Sequence, residues 1–309
     1  MKTIGLADLL VPITHSEFFN SYWPSKPLYV PPSPTKLESL FVLPQLQDVR
    51  FLVSDRLSKV RACLPDYDDE YSSILVDPED ALKVFRNNMT LVFDSMQTQS
   101  ETIAGVLANV RADLGLIVGD DGESLTHSRA IVYATPAGGR TRLHFDANAN
   151  FVIQLKGTKR WRLAPNTSVA YPTERYTSCT GEIAAALEQQ CHAPLLDELP
   201  DESLEFVLEP RSVLFVPRGY WHETTTEDDS LSLNFTFSQP TWADVFAKSL
   251  HGHLLQSESW RELADAIEGS DTNRRQRSLA RLEQLFRELV LELPGLSASQ
   301  LLTEAGLLK

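Results

Sequence analysis

Apolar and polar positions alternate in short runs along the middle of the chain, and the pattern changes on both sides of it. Between Ser128 and Ser238 the runs RAIVYAT, NFVIQL, KRWRLA, LEFVLEP, SVLFVP and LSLNFTF are separated by the turn-forming PAGGR, KGTK, EPRS and PRGYW. Many short strands with such turns predict a β-sandwich or barrel. A long excursion from Thr167 to Pro200, helical around EIAAALEQQ, interrupts the series. Upstream the elements are mixed. Thr14 and Glu17 read as a capping box for a helix SEFFNSYW, and PLYVPP reads as a short strand ended by prolines. VRFLVS and KVRACL predict strands flanking SDRL, and TLVFDSM predicts another. PEDALKVFRN, with Pro78 in its first turn, and SETIAGVLANVRADLG predict helices. The acidic PDYDDEYSS, centred on 65–72, reads as a loop. After Pro240 the texture is helical, and Leu279, Leu282, Leu285, Phe286, Leu289, Val290 and Leu293 form one apolar stripe. Such a stripe packs on its own domain or forms a dimer seam. The expected organisation is a mixed α/β region over 1–127, a β core over 128–240 and a helical extension over 241–309.

Two strands carry more than alternation. In NFVIQL, Phe151, Ile153 and Leu155 share one face and Asn150, Val152 and Gln154 the other. In LSLNFTF, Leu231, Leu233, Phe235 and Phe237 oppose Ser232, Asn234 and Thr236. A polar second face meets either solvent or a polar cavity. Asn150 and Asn234, each near a candidate ligand, favour the cavity.

The composition, 42% hydrophobic and 23% charged, is that of a folded globular chain. A net charge of −14 argues against general nucleic-acid binding, which needs excess Lys and Arg. The opening MKTIGLADLLVP is too broken for a signal peptide, and no apolar run is long enough to suggest a membrane span. Three cysteines, Cys63, Cys179 and Cys191, with no C-x-x-C, fit a reducing cytoplasm.

The candidate chemistry begins with TRLHFDANANF, Thr141 to Phe151. His144 and Asp146, two apart on an extended segment, point the same way and can reach one ion. H-x-D alone is a common spacing. His222, in VLFVPRGYWHETT, supplies a third ligand from a strand that a barrel can bring to the same rim. Two histidines and one carboxylate make the facial triad of non-heme Fe(II) oxygenases. Other histidines read more plainly: His15 and His127 as surface or capping residues, and His251 and His253 as helix residues that diverge. Cys191 beside His192 lacks the further ligand pairs of a zinc site, and no base is placed beside Cys179 or Cys191 to make a nucleophile. Trp161 and Trp221 read as packing residues.

HFDANANFVIQLKGTKRW, followed by PRSVLFVPRGYWH and then LSLNF, resembles the JmjC/cupin class of Fe(II)- and 2-oxoglutarate-dependent oxygenases. It is most similar to the ribosomal-oxygenase branch and the asparaginyl hydroxylase of the hypoxia pathway. The likeness runs from Arg129 to Ser238, with YWPSKPLYV a weaker extension upstream. It implies a double-stranded β-helix with His144, Asp146 and His222 as iron ligands, and O2 as the oxidant. It further implies that Lys159 and Thr141 hold the distal carboxylate of 2-oxoglutarate, and that Asn150 and Asn234 lie near its metal-bound end. Tyr133 would belong to the pocket wall. Ribosomal oxygenases carry a winged-helix domain after their dimerisation helices, whereas 69 residues follow Pro240 here. The expected activity is hydroxylation of a protein side chain, in a ribosomal or other basic protein. The same chemistry on a small molecule or a free or carrier-bound amino acid, and a non-catalytic metal-binding cupin, are the alternatives.

Overall fold

A computed structural model describes residues 4–33, 37–54, 58–65, 72–116, 126–178, 183–265, 267–268 and 270–308. Most of the acidic loop read at 65–72, together with Cys179, lies outside them. The chain divides into two compact units: 1–116 with 127–238, and 117–126 with 239–309.

The first unit contains the strands β1 (Leu28–Val30), β2 (Val60–Cys63), β3 (Ser73–Val76), β4 (Thr90–Phe93), β5 (Ser128–Thr135), β6 (Arg140–Phe145), β7 (Asn148–Lys156), β8 (Lys159–Ala164), β9 (Tyr176–Thr177), β10 (Leu204–Leu208), β11 (Val213–Val216), β12 (Trp221–Thr225) and β13 (Ser230–Ser238). Among the described residues they form an eight-stranded sheet, β1-β11-β7-β13-β5-β4-β2-β3, and a five-stranded sheet, β10-β8-β12-β6-β9. From β5 to β8 and from β10 to β13 the strands on this list alternate between the sheets, and that winding is a double-stranded β-helix. All pairings are antiparallel, so each strand has two faces with separate duties.

The division of faces decides where the site sits. Phe151, Ile153, Leu231, Leu233, Phe235 and Phe237 are buried in one large core with Leu6, Leu9, Phe18 and Ile103 of the N-terminal helices. Phe18 is the pivot, with its ring 6.0 Å from that of Phe151 and 5.2 Å from that of Phe215. The apolar face of the large sheet is thus covered by helices. Its polar face is not left to solvent either: Gln154, Ser232, Asn150 and Thr236 are all buried. That face lines the interior between the sheets.

The helices follow local signals. Thr14 caps His15–Ser21, its hydroxyl accepting the Glu17 N–H. Pro78 opens Pro78–Arg86. Ser100 caps Glu101–Asp113, whose Ile103, Val106, Leu107 and Val110 bury one stripe. VRFLVS, expected as a strand, is instead the helix Val49–Ser54. The Asp48 carboxylate accepts the Arg50 N–H at its start, and Leu52 and Val53 fall on its buried side. A cap and three-four spacing outweigh β-branched composition here.

In the second unit, Thr241 and Asp244 form a capping box for Trp242–Leu254. Thr272–Glu292 is capped by Asp271, and Ala298–Glu304 follows. The apolar stripe is divided: Leu285 and Leu289 are buried, whereas Phe286 and Val290 are more than half exposed. No helix among the described residues is long and apolar enough to cross a membrane.

Candidate metal centre

β6 and β12 pair so that His144 and His222 are direct cross-strand partners. Their ring centroids lie 4.1 Å apart at an interplanar angle of 55°. Asp146 follows the end of β6, and its Oδ2 is 3.8 Å from His222 Nε2. One donor atom from each of the three residues lies within 4.8 Å of the others.

The two imidazoles are prepared alike. His144 Nδ1 is 2.7 Å from the carbonyl oxygen of Arg142, and His222 Nδ1 is 2.9 Å from that of Tyr220. A carbonyl accepts, so each Nδ1 carries the proton and each Nε2 keeps its lone pair for an ion. Burial first, then His222 and Arg175, hold His144 well below the ordinary histidine range, which favours the neutral ligand form. For Asp146, burial raises the carboxyl pKa, but His144, His222 and Arg175 outweigh it and bring the value to about 2. The donor set is therefore two imidazoles, each oriented through Nδ1, and one carboxylate.

The turn before His222 is fixed by glycine. Tyr220 N–H donates to the Pro217 carbonyl, and Gly219 has φ +81°, the value required at the third position of a type II turn. Gly219 N–H then donates to the backbone carbonyl of Asp146 at 2.8 Å. One turn thus positions two of the three ligands relative to each other.

The neighbouring polar residues occupy the same interior. Asn150, on β7, donates from Nδ2 to Asp146 Oδ2 at 3.1 Å, and its Oδ1 accepts the Thr236 hydroxyl at 2.7 Å. Asn234, on β13, has a buried Oδ1 with no hydrogen-bond partner among the described residues. Tyr133 pairs with Ser232 across β5 and β13. Burial, then Asp146 and Asp94, push its phenol to about 12, so it retains its proton. Thr141 accepts a hydrogen bond from the Thr224 hydroxyl at 3.0 Å. Thr141 and His144 are three apart and would normally face opposite ways. A bulge corrects this, because β6 spends three steps between Thr141 and His144 where β12 spends two between Thr224 and His222.

Lys159 opens β8, is 5% exposed, and donates to the Thr135 hydroxyl at 3.3 Å. Burial alone pulls its ammonium down to about 8. No ion pair to Lys159 is found among the described residues, so a hydroxyl is the recorded partner of this buried cation. Such a group fits an anionic ligand that brings its own charge.

Sequence reasoning missed three contributors, Thr135, Thr224 and Arg175. Thr135 and Thr224 supply hydroxyls to Lys159 and Thr141. Trp161 packs as expected, with Val152, Leu163 and Leu214, and its ring also stacks on His222 at 5.5 Å and 24°. Arg175, from the long excursion, donates from Nε to Asp146 Oδ1 at 3.0 Å; no local pattern marks it, because the contact is purely tertiary. Trp221 also packs as expected, against Phe145 and Tyr176. His251 and His253 do not join the centre. His253 instead lies between Glu304 and Glu292. Cys191 is half-buried, and burial followed by Glu188 raises its thiol pKa, opposite to what a nucleophile needs.

A double-stranded β-helix with two histidines and one aspartate converging at one rim defines the class of non-heme Fe(II), 2-oxoglutarate-dependent oxygenases. A family model of the JmjC domain matches residues 118–245. The Bacillus subtilis protein YxbC is 31% identical over 268 residues, spanning 84% of this chain and 78% of that protein. The chain belongs to the JmjC-domain family. Ribosomal oxygenase 2 of Rattus norvegicus is 25% identical over 267 residues, 79% of this chain, and the chain spans 50% of its length. Among solved structures, the ribosomal oxygenase YcfD of Escherichia coli, in complex with cobalt and 2-oxoglutarate, superposes with a TM-score of 0.53 at 15% identity. The match covers 91% of this chain and 68% of that one, and at this identity the likeness is one of fold.

Proposed function

We propose that the protein uses Fe(II), 2-oxoglutarate and O2 to hydroxylate a side chain of a protein substrate. The observation that carries this reading is the pair of histidines, both fixed through Nδ1 to backbone carbonyls, converging with Asp146 in an interior that also holds a buried lysine. His144, Asp146 and His222 would hold the ion. When bound, it supplies oxidative decarboxylation of 2-oxoglutarate to succinate and carbon dioxide, with one oxygen atom of O2 inserted into a C–H bond of the substrate.

The chain's own residues do the positioning. Lys159 neutralises the far carboxylate of the cosubstrate, and the Thr141 and Thr224 hydroxyls supply hydrogen bonds to it. Asn150 keeps Asp146 in place, and the unpartnered Asn234 Oδ1 accepts from a bound group. Tyr133 remains a protonated phenol and serves as a donor in the pocket wall. Val152, Leu163, Leu214 and Val216 pack with Trp161 into an apolar wall that excludes water.

A protein substrate is supported by the relatives named as ribosomal oxygenases. The net charge of −14 suits a basic partner. Three cysteines with no C-x-x-C spacing support a cytoplasmic location. Exposed Phe286, Val290 and Leu291 on the long C-terminal helix support pairing with a second copy.

The test is succinate formation with Fe(II), 2-oxoglutarate and labelled O2, using cell extract separated into macromolecular and small-molecule fractions. Stimulation by the large fraction, with label in a protein, is the expected result. Stimulation by the small fraction alone would transfer the activity to a small-molecule substrate.

A further inference from the structure

We propose that Arg175 is a positioning residue that restricts Asp146 to ligation through one oxygen. The inference rests on the metal-centre reading above. The two oxygens of Asp146 have different surroundings. Oδ1 accepts the Arg175 Nε–H at 3.0 Å, while Oδ2 accepts Asn150 Nδ2–H at 3.1 Å and is 3.8 Å from His222 Nε2. The guanidinium therefore engages the oxygen other than the one placed beside the histidine donor.

The position of Arg175 is itself fixed. Tyr176 and Thr177 of β9 pair with Phe145 and His144 of β6, which places Arg175 next in register to Asp146. The chain just before it is fastened to the turn that carries His222. Arg218 donates from Nε to the Pro172 carbonyl at 2.8 Å and from Nη2 to the Tyr171 carbonyl at 3.3 Å. A Cβ on Gly219 would lie 2.7 Å from Pro172 Cδ, so the two segments are in close contact. Residues 171–177 thus form a strap across the ligand turn, and Arg175 is the side chain it delivers.

The chemical consequence is a count of positions. Two imidazoles and one carboxylate oxygen leave three positions on a six-coordinate ion. A 2-oxo acid chelating through two atoms leaves one more, which O2 needs. If Asp146 ligated through both oxygens, that last position would be filled by the protein. An arginine already bonded to Oδ1 opposes this by hydrogen bonding and by occupying the approach.

The experiment replaces iron by Mn(II), whose effect on water-proton relaxation reports the number of exchangeable waters on the bound ion. Wild-type and Arg175→Met proteins are compared with and without 2-oxoglutarate. Arg175→Met is expected to bind Mn(II) at least as well as wild type but with one exchangeable water fewer, a relaxivity loss of roughly a third before cosubstrate is added. With cosubstrate the loss becomes nearly complete. Equal relaxivity in wild type and Arg175→Met overturns the proposal. So does loss of Mn(II) binding by a folded Arg175→Met, because that would make the role one of general site integrity. If Arg175→Met does not fold, Arg175→Gln is read by the same criteria. Failure of the wild-type protein to bind Mn(II) would instead remove the metal-centre reading beneath the proposal.

Discussion

His144 and His222 face each other across β6 and β12 with ring centroids 4.1 Å apart, each with its Nδ1 committed to the carbonyl two residues earlier. His144 gains nothing from this closeness on its own, since burial first and then His222 disfavour its charged form. An ion accounts for the pairing. His144→Ala and Asp146→Ala are each expected to abolish Co(II) binding in a calorimetric titration, with the circular dichroism spectrum unchanged. Retained affinity in either variant would contradict the assignment.

Lys159 holds a cost that an anionic ligand would relieve. An unfolded lysine keeps its proton to about pH 10.4, whereas burial releases it near 8 in the folded protein. The unfolded chain therefore binds more protons between those values, so the stability of the wild-type protein rises with pH through that window. Lys159→Met removes the cost and should stabilise the ligand-free protein at pH 7 by on the order of 1–3 kcal/mol. The gap between the two proteins should narrow as pH is raised toward 10. At a given concentration of 2-oxoglutarate the same variant should gain much less stability than wild type. Wild-type affinity for the cosubstrate should also weaken as pH rises past about 8. Thermal melts across pH, with and without cosubstrate, check all of these.

Gly219 is required by both conformation and space, with φ +81° and Pro172 Cδ 2.7 Å from where a Cβ would stand. Gly219→Ala should cost about 2 kcal/mol or more in urea unfolding, the left-handed conformation alone accounting for about 1–2. Metal affinity should fall by roughly tenfold, because His222 follows the turn. A variant that lost stability but bound metal normally would show that the turn does not position the ligand.

His253 has Glu304 Oε2 2.7 Å from Nδ1 and Glu292 Oε1 2.9 Å from Nε2. Both nitrogens can donate only in the imidazolium form. The Glu304 hydrogen bond first, and then Glu292, raise its pKa against the opposing effect of burial. Its contribution to stability is therefore complete below about pH 6.5 and is lost as pH rises through the higher folded value. His253→Gln should abolish that pH dependence in the helices 242–254, 272–292 and 298–304, as read by hydrogen exchange at several pH values. An unchanged pH profile would contradict the clasp.

The β core was legible in the sequence because its strands have one duty per face. The run LSLNFTF states in its own alternation that a core lies on one side and something polar on the other. The triad was legible because two ligands share one extended segment and the third follows a recognisable turn. The helix Val49–Ser54 was not, since its cap and its buried side become evident only with the neighbours in place. Arg175 was not, because it reaches the site from a segment with no distinguishing pattern, and Thr135 was not, because the strand run it ends carries no sign of a lysine partner. Thr141 shows the limit in another form. Its three-residue spacing from His144 argues against a shared face until the bulge opposite Glu223 is known.

The central claim is that His144, Asp146 and His222 hold iron in an interior where Lys159 receives 2-oxoglutarate. Anaerobic absorption spectroscopy tests it most directly, because Fe(II) chelated by a 2-oxo acid gives a visible charge-transfer band that neither component gives alone. A saturable band on adding 2-oxoglutarate to the Fe(II)-loaded protein, absent in His144→Ala and requiring far more cosubstrate in Lys159→Met, is the predicted result. No band in the wild-type protein, or the same band in His144→Ala, would contradict the account.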